Sequence, residues 1–397
     1  MILRPLLATF LLASSFASAQ AIRPGDHVAI VGNTFADQLR IHSYFETILL
    51  QQTAENPVSV RNLGWAGDML SVRGRPTNFP AETATLSAHQ TDVIIACFGM
   101  GESFAGEAGV LDFRAQLDAF LAFHRGKKYN GESEVRIVLV TPIAYEDLGE
   151  ITPNVAQRNA DLARYSQAIA VLAAERKIPF WDLNSPMREL MAAEGPKLTM
   201  NGITLRAYGH WAAAGIMARP DPAWLLEVDT AAGTATARGG RIAEFAKDGA
   251  GLRFTHTETS WPQLPPPAGL AHADLPRDRM IARGLAPGNY RLEVDGQPVA
   301  SASADVWAAG VIIESTPAHA EAEALRQAVN DKNRQFTYSW KALNQVHIVG
   351  ERKKSHSGKS LPAEVIAFNT LADEKDAALR THLTLKTRNW RLAPEAK

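Results

Sequence analysis

The sequence predicts a three-layer α/β domain around a parallel sheet, followed by a small β-sandwich and a helical C-terminal segment. Three observations carry this. From Ile22 to about Ala218 short β-branched runs alternate with helical stretches, the pattern of parallel strands joined by right-handed crossovers, with helices on both sheet faces. From about Pro220 short runs are separated by turn residues. From Glu321 to Trp340 apolar residues return at helical spacing.

Taken in order, the first expectation is a leader. Arg4, the apolar run Pro5 to Phe16 and Ala17-Ser18-Ala19 form the charged, apolar and small-residue parts of a secretory signal peptide. Residues 1–20 are therefore expected to be removed and the remainder exported, to the periplasm or beyond the cell. Residues 21–219 form the α/β domain. Its strands are expected at His27–Val31, Val58–Asn62, Asp92–Phe98, Arg136–Thr141 and Pro179–Asp182, with helices at about Phe35–Thr53, Val110–Phe123 and Ala156–Glu175. Residues 220–312 read as an antiparallel sandwich, with Asp295-Gly296 as a hairpin turn and the proline-rich run Pro262–Pro267 as a loop. In residues 313–397 the stripe Leu325, Val329, Phe336 and Trp340 must be buried against something. A basic loop, Arg352–Lys359, and a partly helical stretch, Ala363–Thr381, follow.

Composition narrows the function. The chain has 397 residues, 46% hydrophobic and 21% charged, with 41 Lys+Arg against 42 Asp+Glu. That balance gives no electrostatic reason to expect a nucleic-acid partner. The single cysteine, Cys97, excludes an internal disulfide and a multi-cysteine metal site, and it reads as an inert core residue. No metal or cofactor is called for, and beyond the leader no run is long and uncharged enough for a membrane span.

The chemistry-bearing residues fall at strand ends, where an α/β sheet opens its ligand site. Gly32-Asn33-Thr34 follows the first strand and places a hydroxyl at a helix start, where free N–H groups favour developing negative charge. The same residues serve equally as a plain helix cap. Asn62 to Asp68 follows the second strand, with Gly67 in it, and Gly99-Met100-Gly101-Glu102-Ser103 follows the third. Thr199 to His210, containing Asn201 and Thr204, precedes the last helix of the domain. Asp68 and Glu102 stand at neighbouring strand ends, where paired carboxylates can hold a cation or activate water.

In this order, these four blocks resemble the SGNH (GDSL) hydrolase superfamily over Asp26 to about Gly215. The resemblance implies a flavodoxin-like sheet and hydrolysis of an ester by a Ser-His-Asp triad. The oxyanion hole would come from the serine N–H, a glycine N–H and an asparagine side chain. It places Thr34 at the nucleophile, Gly67 at the oxyanion glycine, Gly101 at the oxyanion asparagine, and Asn201 and Thr204 at the acid and base. Thr34 is crowded by its methyl group, Gly101 has no amide to donate, and Thr204 cannot act as a general base. A narrower likeness, to secreted bacterial SGNH-type proteins of unassigned substrate, covers nearly the whole mature chain. It rests on Asn62–Asp68, Glu102–Gly106, Asn130-Gly131, Pro142–Asp147, Tyr208–Trp211, Lys332-Asn333 and Arg352-Lys353.

Two expectations follow. The ligand is a small or carbohydrate ester, cleaved slowly or merely bound, with Asn33, Asp68 and Glu102 among its neighbours. A missing base would have to come from elsewhere. His210 lies six residues past Thr204 on the next helix and points away at ~100° per residue. His356, in the basic loop, is the other candidate.

Overall fold

The computed structural model describes residues 21–76, 79–267, 275–343 and 354–395. The expected leader and the basic residues Arg352 and Lys353 lie outside them. Five parallel strands, β1 (His27–Gly32), β2 (Ser59–Asn62), β3 (Val93–Cys97), β4 (Arg136–Val140) and β5 (Phe180–Trp181), lie in the order β2-β1-β3-β4-β5. That is the flavodoxin-like order, with its switch point between β1 and β3. Both faces are covered, which is why the strands read as continuous apolar runs. Val28, Ile30, Val93 and Ile95 enter one core, and Ala29, Val31, Ile94 and Ala96 the other, as the two-residue period of a strand requires.

The helices are α1 (Thr34–His42), α2 (Tyr44–Gln52), α3 (Glu82–Ala88), α4 (Val110–His124), α5 (Val155–Arg176), α6 (Asn184–Ala192) and α7 (Ala207–Ala218). The single helix expected over 35–53 is two. Ser43 takes φ 55° between them and is buried, ending α1 with a left-handed cap. The break turns Tyr44–Leu50, all buried, onto the sheet.

Beyond the α/β domain come β6 (Leu225–Asp229), β7 (Thr234–Arg238), β8 (Gly240–Asp248), β9 (Gly251–Glu258), β10 (Arg279–Arg283), β11 (Asn289–Val294) and β12 (Gln297–Ser303). A short helix α8 (Ala304–Ala309), strand β13 (Val311–Ile312), long helices α9 (Pro317–Trp340) and α10 (His356–Ala378), and strand β14 (Thr387–Pro394) follow. The strands form two sheets, β13-β10-β6-β7 and β12-β11-β14-β9-β8, around a core containing Trp224, Trp307 and Trp390. Those tryptophans are packing residues.

Two details of the sandwich differ from expectation. β6 and β10 pair in parallel, because β10 enters the sheet beside β6 after the long excursion through β8 and β9. More consequentially, β14 comes from the segment expected to be helical, so the sandwich does not end at residue 312. Arg388, Trp390 and Leu392 alternate with exposed neighbours, a strand period interrupted in the sequence by charged residues.

α9 buries the expected stripe. Leu325 and Val329 join one core of the α/β domain, and Phe336 and Trp340 the other. The helix therefore lies along the β2 edge and covers it, one way a sheet edge is kept from pairing elsewhere. Lys332, fully buried, donates to Val60 O at 2.8 Å and pairs with Glu46, whose other oxygen accepts from Asn333 Nδ2 at 2.8 Å. From α10, Asp373 reaches Arg61 at 2.6 Å.

Candidate active site

The site is built from the loops that leave β1, β2 and β3. Gly32 ends β1 at φ 129°, and a Cβ there would meet Cys97 O at 2.1 Å, so only glycine lets β1 and β3 close at this point. Asn33 is buried and its Oδ1 accepts from Phe35 N at 3.0 Å. It caps α1. Thr34 opens α1, half-buried, and its Oγ1 accepts from the Gly67 N–H at 3.1 Å. The expected nucleophile and oxyanion glycine are thus brought together, with the N–H directed at the hydroxyl itself.

The β2 and β3 loops are tied by Glu102, whose carboxylate accepts from Gly99 N and Leu70 N, each at 2.9 Å. Asp68 is buried and held bidentately by Arg75, at 2.7 Å for each bond. The two acids are therefore separately engaged and do not form the cation-binding pair the sequence allowed. Gly101 lies against Met69, whose Cγ would be 2.8 Å from a Cβ at that position. Glycines 32, 67 and 101 do converge at the carboxyl edge of one sheet.

The Asn201–Thr204 block is a compact turn. Asn201 Oδ1 accepts from Thr204 N at 2.8 Å, and Thr204 O accepts from Met200 N at 2.8 Å. Beneath it, buried Glu146 accepts from Leu198 N at 3.0 Å and Thr199 N at 2.7 Å. Among the described residues no hydrogen bond joins this turn to Thr34. The Asn201 side chain closes the turn, and Thr204 takes part in it through its backbone.

Neither surrogate histidine reaches Thr34. His210 is buried against His42, ring centres 5.1 Å apart, and burial lowers its pKa to about 3. His356 is exposed at the first position of α10, after the Ser355 cap, and among the described residues has no bond to Thr34. Cys97 is fully enclosed, which pushes its thiol pKa up and leaves it unreactive.

Four contributors escaped sequence reasoning. Arg75 and Met69 sit in the loop after β2, and Glu146 was visible only as part of the Pro142–Asp147 phrase. Lys341, just past α9, pairs with Asp37 in the first turn of α1 at 2.6 Å and lies 5.1 Å from the centre of the Trp65 ring. Trp340 packs edge-on to Trp65 at 5.4 Å. The end of α9 therefore braces the loops on both sides of Thr34.

No family model matches the chain, and no curated protein matches it in sequence. Among solved structures, a gut microbial diltiazem-metabolizing enzyme aligns over 95% of this chain and 100% of its own, with TM-score 0.70 and 18% identity. An acetylxylan esterase from Geobacillus stearothermophilus covers 50% of this chain and 95% of its own, at TM-score 0.37 and 17% identity. A lipase/acylhydrolase from Enterococcus faecalis covers 49% and 94%, at TM-score 0.35 and 16% identity. The first of these likenesses covers 95% of the chain, the sandwich and α9 as well as the α/β domain, and together with the strand order it gives the chain an SGNH-type three-layer α/β fold with an appended sandwich.

Proposed function

We propose that the protein is an exported hydrolase-fold protein whose strand-end cleft binds a small or carbohydrate ester and cleaves it at a rate near background. One observation carries this reading. The Thr34 hydroxyl is bonded to the Gly67 N–H, and among the described residues no ionisable side chain is bonded to it. A hydroxyl becomes a nucleophile only when a base within hydrogen-bond reach takes its proton. Losing general-base help costs about 10²–10⁴ in rate, and an oxyanion donor missing at Gly101 costs about a further 10²–10³. Export rests on the expected leader, and the ester class on the resemblance of the strand-end blocks.

The test is hydrolysis of p-nitrophenyl acetate and of diltiazem, the latter chosen because a similar fold is described as metabolising it. Wild type and Thr34→Ala should both run at the uncatalysed rate. A combined Thr34→Ser, Gly101→Asn, Asn201→Asp and Thr204→His variant, with Met69→Ala to make room beside position 101, should gain measurable turnover. The whole-length likeness to the diltiazem-metabolizing enzyme favours the second reading, an active ester hydrolase. Wild-type turnover at an ordinary esterase rate, abolished by Thr34→Ala, would establish that reading instead.

A further inference from the structure

The amino edge of the parallel sheet, opposite the edge that carries Thr34, holds a basic hollow. It is a cavity of about 490 Å³ where β4 and β5 begin and α4 and α5 end. Arg23, Arg125, Arg136, Arg176 and Lys177 line it, against one carboxylate, Glu134. The rest of the lining is mostly apolar. A chain of formal net charge −1 has no general excess of cations, so this gathering is local.

Two of these cations are neutralised within the fold. Arg136 pairs with Asp26 and donates to Ala21 O at 2.8 Å, and Arg176 holds Asp118 by two bonds, at 2.7 and 2.6 Å. Glu134 accepts from Gly126 N at 2.7 Å. Arg23, Arg125 and Lys177 have no ion pair among the described residues, and all three are exposed. Arg125 and Lys177 follow the ends of α4 and α5, where a cation also complements the helix dipole. That does not explain Arg23, which precedes β1 and belongs to no helix. Lys177 adds a second observation. Its φ of 55° is the left-handed helix cap that glycine usually fills. A lysine there carries backbone strain, and such strain gathers at ligand sites. Like charges lining one cavity repel one another unless an anion sits among them, and apolar walls strengthen both effects.

We propose that this hollow binds a small molecule bearing two or more anionic oxygen groups, carboxylates or phosphates, held by Arg23, Arg125 and Lys177. A guanidinium fork matches either group with two parallel bonds, and the volume is that of a small-molecule site. The proposal is independent of the reading of the Thr34 cleft, which lies at the other edge of the sheet.

The experiment is calorimetric titration of the full chain with citrate and with pyrophosphate, which separates a carboxylate preference from a phosphate one. Saturable binding of at least one is expected, weakening as salt is added, and acetate, with a single charge, should bind at least tenfold more weakly. Arg125→Gln and Arg23→Gln should each weaken binding about tenfold. Lys177→Gly removes a cation and relieves the left-handed backbone, so it should keep or raise the melting temperature while weakening binding. Arg253→Gln, which removes an exposed cation from the sandwich, should leave binding unchanged. Absence of saturable binding by both anions, unchanged affinity in a folded variant combining Lys177→Gly with Arg125→Gln, or an equal loss in Arg253→Gln would each overturn the proposal.

Discussion

Glu102 receives two backbone N–H groups, from Gly99 and Leu70, so its charge joins the loops leaving β3 and β2. Replacing it with alanine strands both donors. At about 1–3 kcal/mol for each group left without a partner, Glu102→Ala should lower unfolding stability in urea by about 2–6 kcal/mol, and Glu102→Gln should restore part of that. A cation-binding role would instead predict stabilisation by added divalent metal, and none is expected. Thr34 and Gly67 were legible because strand ends in an alternating α/β sequence mark where a site opens. Arg75 and Met69 were not, because loop conformation sets their partners, and neither was Lys341, which meets Asp37 across 304 residues of sequence. Asn201 and Thr204, which the resemblance puts at the acid and base, make a turn, since Asx side chains readily bond backbone N–H groups two or three residues on.

At the scale of elements, α9 is the brace of the α/β domain, and Lys332 is its most demanding contact. Burial holds the Glu46 carboxyl above the usual carboxylate range, and Lys332 opposes that shift. Removing one partner of such a pair leaves a buried charge, at a cost of about 3–5 kcal/mol. Lys332→Met should therefore be strongly destabilising in urea unfolding, and the double variant with Glu46→Leu should recover most of the loss. If the single variant is neutral, α9 is held by its apolar stripe alone. That stripe was readable from helical periodicity, as were the five parallel strands from their uninterrupted apolar runs. β14 was not. Its alternation of Arg388, Trp390 and Leu392 with polar residues has too few apolar positions to declare a strand before β9 and β11 are seen to flank it.

For the whole molecule, the buried histidines set the response to acid. Burial lowers the pKa of His210 to about 3 and of His124 and His256 to about 4, and holds His89 well below its ordinary value. Their folded-state values lie under the unfolded value of about 6.5, so the unfolded chain binds protons that the native chain refuses. Stability is whole above that pH and falls as pH drops through the window toward about 3, by up to about 1.4 kcal/mol per pH unit for each histidine. Urea midpoints at pH 7.5 and 5 should differ accordingly, and His210→Phe should flatten the slope. A flat profile between those pH values would mean that these rings are not buried neutral. The placing of β14 bears on how the chain matures. Residues 387–394 are made after every other described strand, yet they occupy the middle of their sheet, between β11 and β9. Until they emerge, both neighbours present an unpaired edge, and such edges template pairing with another copy. A chain stopped short of Thr387 would keep those edges for good while retaining every residue of the Thr34 cleft. Order of synthesis thus makes aggregation, not loss of the cleft, the first symptom of truncation.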